Sequence, residues 1–157
     1  NRLVAISAVW GILGTASSGF VADKCLKGRR NIPALVFGLM NVLGLSLFLL
    51  GPKNVWWLDA LSIVIFGLAI GALICYLGGL MAVDIVSKKA SGAALGIVGV
   101  MSYAAAGIQD IASGYLIENN KSVVNGETLY NFESISVFWI GAAILSFLFA
   151  LLTWKKT

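Results

Sequence analysis

Asp110 interrupts a stretch from Ala90 to Ile117 that holds no other charged residue. A carboxylate inside an apolar helix is costly unless it faces a cavity or a partner group. Tyr103 precedes it by seven residues and so shares its helical face, Gln109 is its neighbour, and Ser113 follows one turn later. Such a set can hold hydroxyl groups, pair with a base from another helix, or take up a proton. Its negative charge does not attract an anion. Two readings of Asp110 stand at this level. Either it lines a central pathway with Tyr103 and Ser113, or it lies one or two turns below a membrane surface, charge-paired with a helix outside this sequence. Asn41 and Tyr76, each inside another apolar run, are further candidates for a pathway lining or an interhelical hydrogen bond.

A second chemical cluster is ADKCLKGRRN, residues 22–31, where Lys24, Lys27, Arg29 and Arg30 supply four of the chain's eleven basic residues beside Asp23. A third is Asp84 with Lys88 and Lys89, where Asp84 pairs with Lys88 at i,i+4 if the helix continues through them. Neither cluster belongs to a soluble module, so a nucleic-acid partner is not expected. Histidine is absent, which removes the commonest general base and metal ligand. Cys25 and Cys75 make no disulfide or metal framework. No catalytic residue, metal site or cofactor is expected, and the chain does not read as an enzyme.

The elements that position these residues are set by hydropathy. Hydrophobic residues make up 59% of the 157 and charged ones only 11%, against roughly half and about a quarter in soluble domains. Uncharged runs of about 18 or more residues mark helices that cross a bilayer, and they predict spans at about 3–22, 32–50, 59–83, 90–117 and 134–154. Strand-like alternation is missing from all of them, which excludes a membrane barrel and leaves helices to satisfy the backbone in lipid. Gly67 and Gly71 form a face suited to close helix contact, while Gly92, Gly96 and Gly99 thin the fourth span. That fourth span is expected to be embedded among other helices, or to slide or rock. Lys24, Lys27, Arg29, Arg30, Lys88, Lys89, Lys155 and Lys156 fall on one side of the membrane; Arg2, Lys53 and Lys121 fall on the other. The basic side is cytoplasmic, so the N-terminus is expected outside and the C-terminus inside. Trp56, Trp57 and Trp154 suit interfacial anchors. The chain begins at Asn1, almost directly inside a span, and is expected to be cut from something longer.

With Gly19 added, the basic cluster becomes GFVADKCLKGRR, which resembles the cytoplasmic loop signature of the major facilitator superfamily. Its extra residues between Lys24 and Gly28, together with MAVDIVSKKASGAALGIVGVMSYAAAGI from Met81 to Ile108, resemble the organophosphate:phosphate antiporter family. The resemblance implies an all-α, polytopic membrane protein with a major facilitator-like helix bundle, the five runs corresponding to spans eight to twelve. It implies secondary transport of hexose phosphate or glycerol 3-phosphate in exchange for inorganic phosphate, by alternating access in the cell membrane. Gly19, Asp23, Lys24, Gly28, Arg29 and Arg30 would then form a gating loop, with Asp84, Lys88 and Lys89 on the same cytoplasmic side. The partners implied are membrane lipids, a small phosphorylated metabolite, inorganic phosphate and an N-terminal transmembrane half carrying most of the phosphate-gripping bases. A transporter-like sensor of hexose phosphate that signals to a kinase, and a facilitator for another sugar or organic anion, are the alternatives.

Overall fold

The computed structural model describes residues 2–21, 24, 31–52, 55–124 and 127–153. Its elements run α1 (Arg2–Phe20), α2 (Asn31–Leu50), α3 (Trp56–Cys75), a π turn (Tyr76–Leu80), α4 (Met81–Ile85), a 3-10 turn (Lys88–Ala90), α5 (Ser91–Asn119), β1 (Lys121–Val124), β2 (Glu127–Tyr130) and α6 (Glu133–Thr153). Among the described residues, five helical stretches are long and apolar enough to cross a membrane: Leu3–Phe20, Asn31–Leu50, Trp56–Ile85, Lys88–Asn119 and Glu133–Leu152. The third and fourth outrun the lengths expected from hydropathy because helices extend into polar flanks that a hydrophobic window leaves out.

α3 is the centre of the bundle, with α1 and α2 packed against it, α6 against α2, and α5 touching α4 and α6 more lightly. Lipid offers no hydrophobic drive to pair helices, so pairing rests on close van der Waals contact and interhelical hydrogen bonds. Glycines supply that contact. A Cβ at Gly14 would overlap the main chain of Leu68, and one at Gly71 would overlap the carbonyl of Gly11. At Gly67 it would stand 2.6 Å from the Ser7 carbonyl oxygen, and at Gly44 2.9 Å from the Phe66 nitrogen. The expected Gly67/Gly71 face is therefore where α1 crosses α3. Thr15 hydroxyl lies 3.0 Å from the Gly71 carbonyl and 3.0 Å from that of Gly11, which ties the crossing with a polar contact.

Below that crossing, Tyr76 is fully buried with Ala34, Phe37, Ala69 and Ala72. Its ring lies 6.1 Å from that of Phe37, and its hydroxyl donates to the Ser18 carbonyl at 2.6 Å.

On the other side of the bundle, β1 and β2 pair antiparallel between α5 and α6, from Lys121 opposite Tyr130 to Val124 opposite Glu127. Asn120 is tied down at its base: its amide donates to the Leu116 carbonyl at 2.8 Å and its carbonyl oxygen accepts from the Ser134 hydroxyl at 3.4 Å.

One local expectation is corrected. α4 ends at Ile85, Val86 is extended at φ −114° and ψ 161°, and Ser87 follows at ψ 153°. The continuous helix that would set Asp84 and Lys88 at i,i+4 is therefore broken between them. Among the described residues, no neighbouring atom comes within 4 Å of a Cβ placed at Gly92, Gly96, Gly99, Gly107 or Gly114, so none of them covers that face of the fourth span.

Candidate functional site

α5 carries four of the six pathway candidates, and its 29 residues present three different faces. At about 100° per residue, Gly92, Gly96, Gly99, Tyr103, Gly107, Asp110 and Gly114 fall within one narrow sector. All are exposed apart from half-buried Gly99, with Tyr103 82% exposed. The second sector holds Ile97, Met101, Ile108, Ile111 and Tyr115, all exposed and apolar in character, as a lipid-facing surface requires. The third turns toward the bundle. There Ser113 is buried and accepts a hydrogen bond from the Trp139 indole N–H of α6 at 3.0 Å.

Tyr103 and Asp110 thus stand on one face, about 20° apart around the helix axis. Ser113 leans off that face into the α5–α6 contact. Gln109 points a further step around, into a cavity of ≈ 460 Å³ between α2, α3, α5 and α6. Asn41, Phe66, Ile70 and Trp139 line the same cavity. Two of the residues singled out in sequence, Asn41 on α2 and Gln109 on α5, are brought together there. Among the described residues, Asn41 Oδ1 is buried and meets no hydrogen-bond partner. Neutral amides among aromatic and aliphatic side chains offer no countercharge for a phosphate dianion, so this cavity lacks what would hold the charged end of such a molecule.

Tyr76 belongs to the packed cluster between α1, α2 and α3, with its hydroxyl committed to Ser18. Asp84, Lys88 and Lys89 are exposed around the α4–α5 connection. Of the loop signature, no neighbouring atom among the described residues lies within 4 Å of a Cβ placed at Gly19, and the Lys24 ammonium sits 4.9 Å from the centre of the Phe20 ring, a cation–π contact. Asp23, Gly28, Arg29 and Arg30 lie outside the described residues. Trp139 was not anticipated. The available signal was an indole N–H inside an apolar run, which needs an acceptor.

No protein-family model and no solved structure matches the chain. Curated proteins do. The chain is 25% identical over 146 residues to the glycerol-3-phosphate transporter of Bacillus subtilis, covering 92% of this chain and 30% of that protein. It is 26% identical over 162 residues to a probable hexose phosphate transport protein of Chlamydia muridarum, covering 100% of this chain and 32% of the relative. A protein of the same description from Chlamydia trachomatis is 25% identical over 162 residues, with the same coverage. The chain spans about a third of the length of these relatives. All are named as transport proteins and none as an enzyme, in agreement with the non-enzymatic reading. The architecture is that of an all-α polytopic membrane protein, with five helices long and apolar enough to cross a membrane among the described residues.

Proposed function

We propose that this chain forms spans eight to twelve of a secondary transporter that exchanges a hexose phosphate or glycerol 3-phosphate for inorganic phosphate in the cell membrane. The observation that carries the reading is the Tyr103–Asp110 face of α5. A carboxylate and a phenol on a glycine-lined face cannot be left to hydrocarbon, while a separate apolar sector of the same helix suits lipid. The polar face is one wall of a water-filled route, and helices of an N-terminal half form the opposite wall. The names of the relatives support the substrate class, and the third of their length that this chain spans supports its place in a larger bundle.

The division of labour follows from charge. Asp110 repels phosphate, so it accepts hydrogen bonds from the hydroxyls of the organic moiety or pairs with a base across the route. The phosphate is gripped by bases from the opposite half. Asp23, Lys24, Arg29 and Arg30 serve the cytoplasmic gate, where contacts form in one access state and break in the other. Lys88 and Lys89 lie on the same side and raise the local concentration of anionic substrate. The N-terminus of the chain faces out and its C-terminus faces the cytoplasm, as the eight-to-three division of basic residues requires.

The test is exchange by the native protein in liposomes loaded with radiolabelled inorganic phosphate. External glucose 6-phosphate or glycerol 3-phosphate should release the label, and a neutral sugar should not. Binding of a sugar phosphate without release would point instead to a sensor, and release by unphosphorylated sugars to a different facilitator.

A further inference from the structure

The hairpin between α5 and α6 carries apolar side chains that neither the helix packing nor the proposed route uses. Tyr130 and Phe132 are 52% and 56% exposed, and their rings lie together, 6.4 Å between centroids and tilted by 40°. A single exposed apolar side chain is ordinary on a protein surface, whereas a contiguous apolar patch asks for a partner. Successive strand residues point to opposite faces and cross-strand partners to the same one. Tyr130 therefore shares a face with Thr128 and with Lys121 opposite it, while Ser122 and Leu129 share the other face.

The base of the hairpin is fastened to both helices. The Asn131 N–H donates to the Asn120 carbonyl at 3.2 Å, and Asn131 Oδ1 accepts from the Glu133 N–H at 2.9 Å where α6 begins. The Asn120 side chain bonds back to Leu116 and to Ser134. These bonds hold the aromatic face in one orientation relative to the ends of α5 and α6. Two strands alone are marginal in water, so the hairpin gains from a surface to rest on.

Its height in the bilayer follows from the order of the spans. The chain crosses along Trp56–Ile85 and returns along Lys88–Asn119, so the start of α3 and the hairpin lie on one side. Trp56 and Trp57, each 64% exposed at the start of α3, mark that same side. Tryptophan and tyrosine gather at the membrane–water boundary because the ring meets acyl chains while its N–H or O–H meets the headgroups.

We propose that the hairpin is an interfacial anchor, lying on the phospholipid surface with its Tyr130–Phe132 face turned down into the boundary between headgroups and acyl chains. The partner is the lipid surface itself. The rings enter it and the Tyr130 hydroxyl reaches the headgroup oxygens. Lys121, ion-paired with Glu118 at the end of α5, runs its stem along the apolar layer and keeps its ammonium at the level of the phosphates. Ser122 and Leu129 face water. The anchor sets the depth at which α5 and α6 end. It requires the membrane spans and is independent of the transport reading.

The experiment uses the full-length native protein, with Cys25 and Cys75 changed to serine, in phosphatidylcholine liposomes and with one nitroxide label at a time. Thr128→Cys puts the label on the aromatic face and Ser122→Cys on the opposite one; both positions are exposed, and both variants keep the two rings. Collisions with oxygen, which concentrates in lipid, and with a water-soluble nickel chelate report the depth of each label. The ratio of oxygen to nickel collisions should be several-fold higher at 128 than at 122. Adding Tyr130→Ser/Phe132→Ser should bring the ratio at 128 down to that at 122. Nickel collisions at 128 as frequent as at 122 in the parent would place the aromatic face in water and overturn the anchor. Shielding of 128 from both reagents would show that another part of the protein covers the face, which overturns it equally. A ratio at 128 that stays high in a folded serine variant also overturns it, since the rings would then not hold the hairpin down. Where the serine variant does not fold, the comparison of 128 with 122 in the parent decides alone.

Discussion

Gly71→Ala strikes the contact on which α1 and α3 depend. The added methyl overlaps the Gly11 carbonyl, which is backbone and cannot rotate away, so the two helices must part. Overpacking of this kind costs about 1–3 kcal/mol. Separation also breaks the bond from Thr15 to the Gly71 carbonyl, and interhelical hydrogen bonds in membranes average about 0.6 kcal/mol with a maximum near 1.7. The combined loss is about 2–5 kcal/mol, which for a chain of this size lowers the thermal midpoint by on the order of 5–20 °C. Gly96→Ala is the matched control. Its methyl enters open space on α5, and alanine favours the helix over glycine by up to about 1 kcal/mol. Thermal unfolding in detergent, followed by circular dichroism, compares the two. A parent-like midpoint for Gly71→Ala together with a lowered one for Gly96→Ala would refute the assignment of the α1–α3 crossing as the close contact.

Three further outcomes follow from the assigned roles. Asp110→Asn should raise the KM for sugar phosphate about ten- to hundredfold, the loss of a charge-assisted hydrogen bond of about 1.5–3 kcal/mol, with expression retained; unchanged affinity in a binding assay removes Asp110 from the pathway. Asp23→Asn should impair exchange while membrane insertion and protein level stay normal, and full exchange activity would end its gating role. Tyr76→Phe keeps the ring on Phe37 and loses the bond to Ser18, so stability should fall by about 0.6–1.7 kcal/mol, whereas Tyr76→Ala empties the cluster and should cost about 3–5 kcal/mol. Equal losses from the two Tyr76 variants would show that the hydroxyl, not the packing, dominates there.

The five helices were legible because long uncharged runs have no other stable form in lipid. The Gly67/Gly71 crossing was legible too, since small residues four apart on a membrane helix announce close approach. Their partners were not: nothing local in Ser7, Gly11 or Gly14 says which helix they meet, because that depends on tertiary arrangement. The break after Ile85 was hidden because MAVDIVSKKA contains no glycine or proline to mark it. The π turn carried a signal in the adjacent Gly78 and Gly79, yet their hydropathy blends into the span. Among site residues, the shared face of Tyr103 and Asp110 followed from their spacing of seven alone. The meeting of Asn41 with Gln109, and the bond from Trp139 to Ser113, required the packing of α2 and α6 against their neighbours.

On the proposed function, the Tyr103–Asp110 face of α5 lines a substrate route while the apolar sector of the helix meets lipid. Single cysteines placed along α5 in the native protein lacking Cys25 and Cys75, and treated with a membrane-impermeant thiol reagent, test it most directly. Positions 103, 107, 110 and 114 should react and be protected by hexose phosphate or glycerol 3-phosphate, while positions 97, 101, 108 and 111 stay unlabelled. Labelling that ignores this division around the helix, or that no organic phosphate protects against, would contradict the account.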